Sequence, residues 1–228
     1  MSSIGIIGGM GPQASNLLLS LLIENSHKFT TIKSDEDFPD IVLLNVPVPN
    51  FTQNKSNQAK ALEILKTKLP ILESAGTKVN AIACNTAHLL LPELEQESGL
   101  VFLNMPKLTI EEATKSGAKR VGLFGSETTM RSDLYDQMPP GAVLVKPSQK
   151  QQDKINQLIM RQIQGNITSS DRKAAKRLID TFVTNQSLDV VILGCTELPV
   201  IVGGSHPKTV SSLHVLADKL LEECFMQS

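Results

Sequence analysis

The feature that most constrains this chain is its likeness to itself. Ile4-Gly5-Ile6-Ile7-Gly8-Gly9 reads like Val121-Gly122-Leu123-Phe124-Gly125-Ser126, and Ile82-Ala83-Cys84-Asn85-Thr86 reads like Leu193-Gly194-Cys195-Thr196-Glu197. The first pair is offset by 117 positions (122 − 5) and the second by 111 (195 − 84), so order and spacing survive to within six residues. Such self-similarity marks a duplicated structural unit. Each half supplies a strand, a glycine turn and a helix, and about 75 residues later a strand ending in cysteine and a polar residue. A length of 228 residues accommodates one large domain or two compact ones.

Short β-branched runs alternate with segments of helical period. Strands are predicted at Ile4–Ile7, Ile41–Val46, Val79–Ala83, Val101–Leu103, Val121–Phe124, Ala142–Val145 and Val190–Leu193. Between them, Ala14, Leu17, Leu18, Leu21 and Leu22, and again Ala174, Ala175, Leu178, Ile179 and Phe182, fall at i, i+3, i+4, i+7, i+8. This alternation implies βαβ units and parallel sheets covered on both faces, so the expected class is α/β with two similar Rossmann-like lobes. The expected boundaries are 1–105 for the first lobe, with a C-terminal helical segment 208–228 (Leu213, Leu216, Leu220) returning to it, and 106–207 for the second. Ligands of open α/β sheets sit beyond the carboxyl ends of the strands, where both cysteines fall. Lobes facing each other with pseudo-twofold symmetry would bring the two sulfurs to one interlobe cleft from opposite sides.

Opposed sulfurs suit a particular chemistry: removal of a proton from one face of a carbon stereocentre and delivery of another to the opposite face. One sulfur must be thiolate and the other thiol, and a thiol beside a helix N-terminus is acidified enough to act as a base near neutral pH. Cys84 precedes Asn85-Thr86, and Cys195 precedes Thr196-Glu197; Asn and Thr are favoured N-caps, and N–H groups of the same turn can hold a carboxylate. The alternative is that each cysteine is a small buried residue at a strand end and each polar neighbour a cap.

Other chemistries fit less well. Gly9-x-Gly11-x-x-Ala14 matches a loose dinucleotide fingerprint, yet Pro12 removes an N–H and the second strand ends Leu44-Asn45-Val46-Pro47 without an acidic residue for a ribose. Cys84 and His88 are four apart, but His27, His206 and His214 complete no ligand spacing, so no metal is expected and His88 is read as a capping or supporting group. No G-x-S-x-G elbow occurs, and a cysteine-protease nucleophile would leave the second matched cysteine unexplained. Cys224, beside Phe225 in a terminal amphipathic segment, is read as packing.

Charge narrows the partners. With 22 Lys+Arg against 23 Asp+Glu, no Trp, one Tyr and seven Phe, the chain has neither the single-sign field nor the aromatic platforms of a nucleic-acid binder. The first basic residue is Lys28, and no apolar run reaches the roughly 18 residues of a membrane span, so a cytoplasmic protein is expected. Three widely spaced cysteines (84, 195, 224) form neither a disulfide framework nor a CxxC site.

The motifs Ile4-Gly5-Ile6-Ile7-Gly8-Gly9-Met10-Gly11-Pro12, Cys84-Asn85-Thr86-Ala87-His88 and Gly194-Cys195-Thr196-Glu197, in this order over nearly the whole chain, resemble the cofactor-independent aspartate/glutamate racemase family. Gly122-Leu123-Phe124-Gly125-Ser126 through Thr128-Thr129-Met130 is similar to the family's second-lobe turn. Gly9-Met10-Gly11 and Glu197 stand where glutamate racemases typically carry Asp-Ser-Gly and His, which favours the aspartate racemase branch. The resemblance implies a racemase that uses no pyridoxal phosphate, acts on a small amino acid or carboxylic acid and forms a homodimer. It makes Cys84 and Cys195 the acid/base pair, the first-lobe cysteine deprotonating the D enantiomer and the second-lobe cysteine the L. Met10, Asn50, Thr52, Gln53, Asn85, Thr86, Thr196 and Glu197 become the substrate contacts. One departure bears on the substrate: Val48-Pro49-Asn50-Phe51-Thr52 stands where aspartate racemases often show Ile-Pro-Asp-Arg-Thr. The Arg grips the side-chain carboxylate in the family, and a second-lobe Lys is not evident around Ile163-Gln164-Gly165; Gln53, Lys55, Arg131 and Arg161 are candidates to compensate. Two alternatives remain: an isomerase, decarboxylase or hydantoin racemase acting on a non-amino acid, and a non-catalytic protein that binds small acids.

Overall fold

The computed structural model describes residues 2–50, 55–204 and 206–226. The chain divides into two compact units, Met1–Met105 with Leu213–Ser228, and Pro106–Ser212. Among the described residues each unit contains one four-stranded parallel sheet. The first runs in the order β2(Ile41–Asn45), β1(Ile4–Gly8), β3(Val79–Ile82), β4(Phe102–Leu103). The second repeats that order with β6(Val143–Val145), β5(Arg120–Phe124), β7(Val190–Leu193), β8(Thr209–Ser211). The seven predicted runs are all strands; β8 is an addition, too short at three residues to show a period. It pairs in parallel with β7, Val191 opposite Thr209 through Leu193 opposite Ser211, so the return to the first unit begins at Leu213 rather than at 208.

Alternation along the strands divides each core in two. In the first unit Ile4, Ile6, Val79 and Ala81 face α1(Pro12–Ser26) and α10(Ser212–Met226), while Ile7 and Ile82 face α2(Lys55–Lys66), α3(Leu69–Ser74) and α4(Leu91–Ser98). In the second unit Val121, Leu123 and Ile192 pack with α5(Met105–Thr114), and Phe124, Val191 and Leu193 with α7(Gln149–Ile163), α8(Ser169–Gln186) and α9(Glu197–Val202). The helix after β4 thus completes the second unit and the helix after β8 completes the first. The predicted apolar stripes are the buried ones: Ala14, Leu18, Leu21 and Leu22 in α1, and Ala175, Ile179 and Phe182 in α8, with Leu17 and Leu178 at their margins and Ala174 exposed. Among the described residues no helix is long and apolar enough to cross a membrane.

Glycines make room within the duplicated first strand of each unit and at the turn after β1. A Cβ on Gly5 would lie 2.3 Å from Asn80 Oδ1, and one on Gly122, its repeat partner, 2.7 Å from Leu188 Cδ1. Gly9 has φ of +92°, and a Cβ there would come within 2.4 Å of the Val46 backbone nitrogen, so only glycine turns the chain from β1 into α1 past β2. Ser15 stitches that turn, accepting from Gly9 N–H at 2.8 Å. Gly9→Ala is expected to lower the unfolding free energy by more than about 1 kcal/mol. Gly99→Ala, at φ +68° with nothing within 4 Å, should lose less. Denaturant midpoints of the two variants measure the backbone clash as their difference.

Candidate active site

The order β2-β1-β3 fixes where a ligand can sit in the first unit. The chain leaves β1 to one side and returns to the other, so β1 and β3 flank a topological switch point, where open parallel sheets take their ligands beyond the carboxyl ends of the strands. The Gly8-Gly9-Met10 turn leaves one of these ends and Cys84-Asn85-Thr86 the other; Ala83 N–H continues the ladder to Ile7 O at 2.8 Å. The second unit repeats the construction: Gly194 N–H reaches Phe124 O at 2.7 Å, placing Gly125-Ser126 beside Gly194-Cys195.

In the first unit, Cys84 is 8% exposed and packs with Ile7, Ile82 and Ala87, and Met10 lies half-buried against the same cluster. Asn85 and Thr86 are buried. The expected side-chain cap is not formed: Asn85 has helical φ and ψ, −58° and −51°, which point its side chain away from the cap position, and the chain continues as a 3₁₀ turn, Thr86–Leu90. His88 provides the support. Met105 N–H donates to Nε2 at 3.1 Å, so the ring proton lies on Nδ1 and is donated to the Cys84 carbonyl at 2.9 Å. The 3.4 Å approach of Nε2 to the Leu103 carbonyl cannot also be a donated bond in this tautomer. The imidazole ties the cysteine turn to the end of β4. Asn50 is exposed beyond β2, its carbonyl accepting from Asn57 Nδ2 at 2.8 Å. Phe51, Thr52 and Gln53, and the side chain of Lys55, lie outside the described residues.

In the second unit, Cys195 is also 8% exposed, with Thr196 and Glu197 buried. Thr196 likewise has helical φ and ψ and forms no side-chain cap. Its hydroxyl donates to Glu197 Oε2 at 3.2 Å, and the Cys195 thiol donates to the same oxygen at 3.0 Å. Ser126 caps α6(Glu127–Arg131) by accepting from Thr129 N–H. Arg131 pairs with Glu127 on its own helix, and Arg161 with Asp171 at 3.0 Å, so both compensating arginines are engaged with carboxylates.

Several supporting groups carry little or no sequence signal. Tyr135, the sole tyrosine, is buried, hydrogen-bonded to the side chains of Thr109 and Ser212, and lies near enough to Cys195 to feel its charge. A Cβ on Gly194 would meet its ring at 3.1 Å. Burial keeps its phenol protonated, far above the usual tyrosine range. Gln152 donates to the Gly125 carbonyl at 2.9 Å and heads the buried stripe Ile155, Leu158, Ile159, Gln162 of α7; polar residues at both ends of an apolar stripe are the one hint in the sequence. Cys224 is buried in the first core, its thiol donating to the Ser2 carbonyl. Among the described residues no group of three or more His, Cys, Asp or Glu could hold a metal ion.

A duplicated parallel α/β unit with a cysteine at the same strand end in each copy defines a narrow class, and sequence comparison gives it a family. Residues 7–217 match the Asp/Glu/hydantoin racemase family, and the chain belongs to it, an isomerase of the amino-acid racemase type. It is 26% identical over 200 residues to the broad specificity amino-acid racemase RacX of Bacillus subtilis, covering 87% of both chains. Its fold is similar to a crystal structure of an aspartate racemase homologue from Pyrococcus horikoshii OT3, with TM-score 0.79, 28% identity and coverage of 98% of this chain and 99% of that one. Picrophilus torridus aspartate racemase is also similar, with TM-score 0.76, 29% identity and coverage of 98% and 94%.

The His88 contacts generate a pH dependence. Burial, opposed in part by the Cys84, Leu103 and Asn85 backbone and by Glu95, holds its pKa below 6.5. The unfolded chain therefore takes up a proton that the folded one resists. Stability is complete above about pH 6.5 and falls as pH drops below it toward the folded pKa. His88→Gln should lose on the order of 1–3 kcal/mol at neutral pH, with a smaller deficit at about pH 5. His214, half-buried with a lowered pKa, is common to both proteins and cancels in the comparison of denaturant curves.

Proposed function

We propose that this protein interconverts the enantiomers of a small amino acid, with aspartate the first substrate to try, by a two-base reaction between Cys84 and Cys195 that needs no pyridoxal phosphate. The observation that carries this reading is the duplicated strand end: two cysteines of equal 8% exposure, each beyond the carboxyl end of the strand next to a glycine turn. In one direction the Cys84 thiolate removes the Cα proton, the electron pair left on carbon takes a proton from the Cys195 thiol, and the negative charge ends on the second sulfur. The reverse direction exchanges the roles. The carbanion must be stabilised by hydrogen bonds and exclusion of water alone. Asn85, Thr86, Thr196 and the Met10 turn would hold the α-carboxylate and amine. Asn50, Thr52 and Gln53 are further candidate substrate contacts.

The aspartate assignment draws on the aspartate racemase and its homologue among the similar structures. A second substrate reading rests on Phe51, which offers no cation to a side-chain carboxylate, and on RacX being named a broad specificity enzyme. On that reading aliphatic amino acids compete with aspartate. Three cysteines outside any disulfide and thiol chemistry suit a reducing compartment, so we place the reaction in the cytoplasm. A homodimer is the assembly to test by sedimentation.

Incubating the protein with each enantiomer of a panel of amino acids in deuterated water should exchange the α-hydrogen and lead to the racemate. Cys84→Ser and Cys195→Ser should each lower racemisation by at least about a thousandfold, the scale of losing a general acid or base. Full activity in either variant, or no exchange with any amino acid, would remove the two-base reading. Ligand-induced thermal stabilisation without exchange would instead indicate a binding protein.

A further inference from the structure

Glu197 is 4% exposed and sits two residues beyond Cys195, at the first position of α9. Its Oε2 receives both the Cys195 thiol, at 3.0 Å, and the Thr196 hydroxyl, at 3.2 Å. An oxygen that takes two donors carries no proton of its own. A thiolate on Cys195 would lose this bond and bring a second negative charge within 3.0 Å of the first, in surroundings that screen charge poorly. The first unit is built differently. Its cysteine turn is followed by Asn85, Thr86 and Ala87, and among the described residues His88, neutral, binds that turn through the Cys84 carbonyl rather than the sulfur.

Resting on the two-base reading above, we infer that Glu197 is a positioning residue that keeps the proton on Cys195, so that the resting protein holds its thiolate on Cys84. When Cys195 gives up its proton to the substrate carbon, its S–H bond breaks, a Cα–H bond forms and the charge is left on sulfur beside the carboxylate. When Cys195 takes a proton, the Cα–H bond breaks and the thiol–carboxylate contact is restored. Glu197 therefore sets which protonation form predominates between turnovers without touching the substrate. Thr196 shares the work by fixing the orientation of the carboxylate.

The test reads thiolate content directly. The intact protein is treated with iodoacetamide, a neutral probe that reacts with thiolate rather than thiol, and modification of each cysteine is followed by peptide mass mapping. Cys84 and Cys195 are equally exposed, so their rates report ionisation, while fully buried Cys224 is an internal control. In the wild-type protein Cys84 is expected to react at least about tenfold faster than Cys195, the scale on which one neighbouring carboxylate acts. Glu197→Gln replaces an acceptor with a group that can donate to sulfur. It should raise the Cys195 rate about tenfold or more and leave Cys84 within about twofold. Equal rates in the wild type overturn the inference without any variant, as does an unchanged Cys195 rate in a folded Glu197→Gln protein. Because the readout needs no turnover, its failure is separable from failure of the racemase reading, which the serine variants decide.

Discussion

Everything functional in this molecule depends on the parallel pairing of β1 with β3 and of β5 with β7. Ile7 opposite Ile82, and Phe124 opposite Leu193, put the last paired residues of neighbouring strands at one level, so a glycine turn and a cysteine emerge side by side in each unit. A parallel pair needs a long crossover, and residues between β1 and β3 first build β2 on the far edge before returning. That return creates the switch point. Had β3 paired with β2 instead, the glycine turn would lack the cysteine as neighbour.

The duplication is faithful in backbone and free in chemistry. Strand order, the close glycine of the first strand and the strand-end cysteine are shared. The groups that hold each cysteine turn are not. In the first unit a neutral imidazole donates to the Cys84 carbonyl and receives Met105 N–H, so the turn is fixed through its backbone and the sulfur is left to other contacts. In the second unit a tyrosine ring lies close behind Gly194, and a carboxylate binds the sulfur itself. Backbone support places a thiol, whereas a side-chain acceptor also decides its charge. The two halves thus provide equivalent cysteine positions with inequivalent support.

Much of this is legible in the sequence, for reasons that differ by element. Seven strands declare themselves because parallel strands covered on both faces read as short, largely apolar runs, and α1 and α8 because their buried faces keep helical period. β8 does not, since Thr209-Val210-Ser211 is too short for any period and is made a strand by β7 alone. The cysteines stand out through repetition rather than through their surroundings. Their neighbours mislead in one respect: Asn85 and Thr196 are residue types that cap helices, but both have helical backbone angles, and a cap requires extended ones. Tyr135, Thr109 and Ser212 converge from distant positions, and no local pattern connects them. Glu197 is visible as a polar residue at the site, but whether a carboxylate two positions after a thiol turns toward substrate or back onto sulfur is decided by side-chain torsions, which spacing leaves open.

The asymmetry has a thermodynamic boundary that sharpens what Glu197 can do on the racemase reading. Enantiomers have equal free energy in water, so the equilibrium constant is unity and kcat/KM must be the same in both directions whatever the protein does. A carboxylate beside one sulfur cannot favour one product. It can only change the populations of the two free forms, so that kcat and KM for one enantiomer move together and away from those of the other. The enantiomer matched to the predominant form meets competent protein at once, whereas its mirror image depends on the minor form. A carboxylate held at 3.0 Å from Cys195, and an imidazole that binds the other turn only through its carbonyl, are the structural terms in which that partition is written.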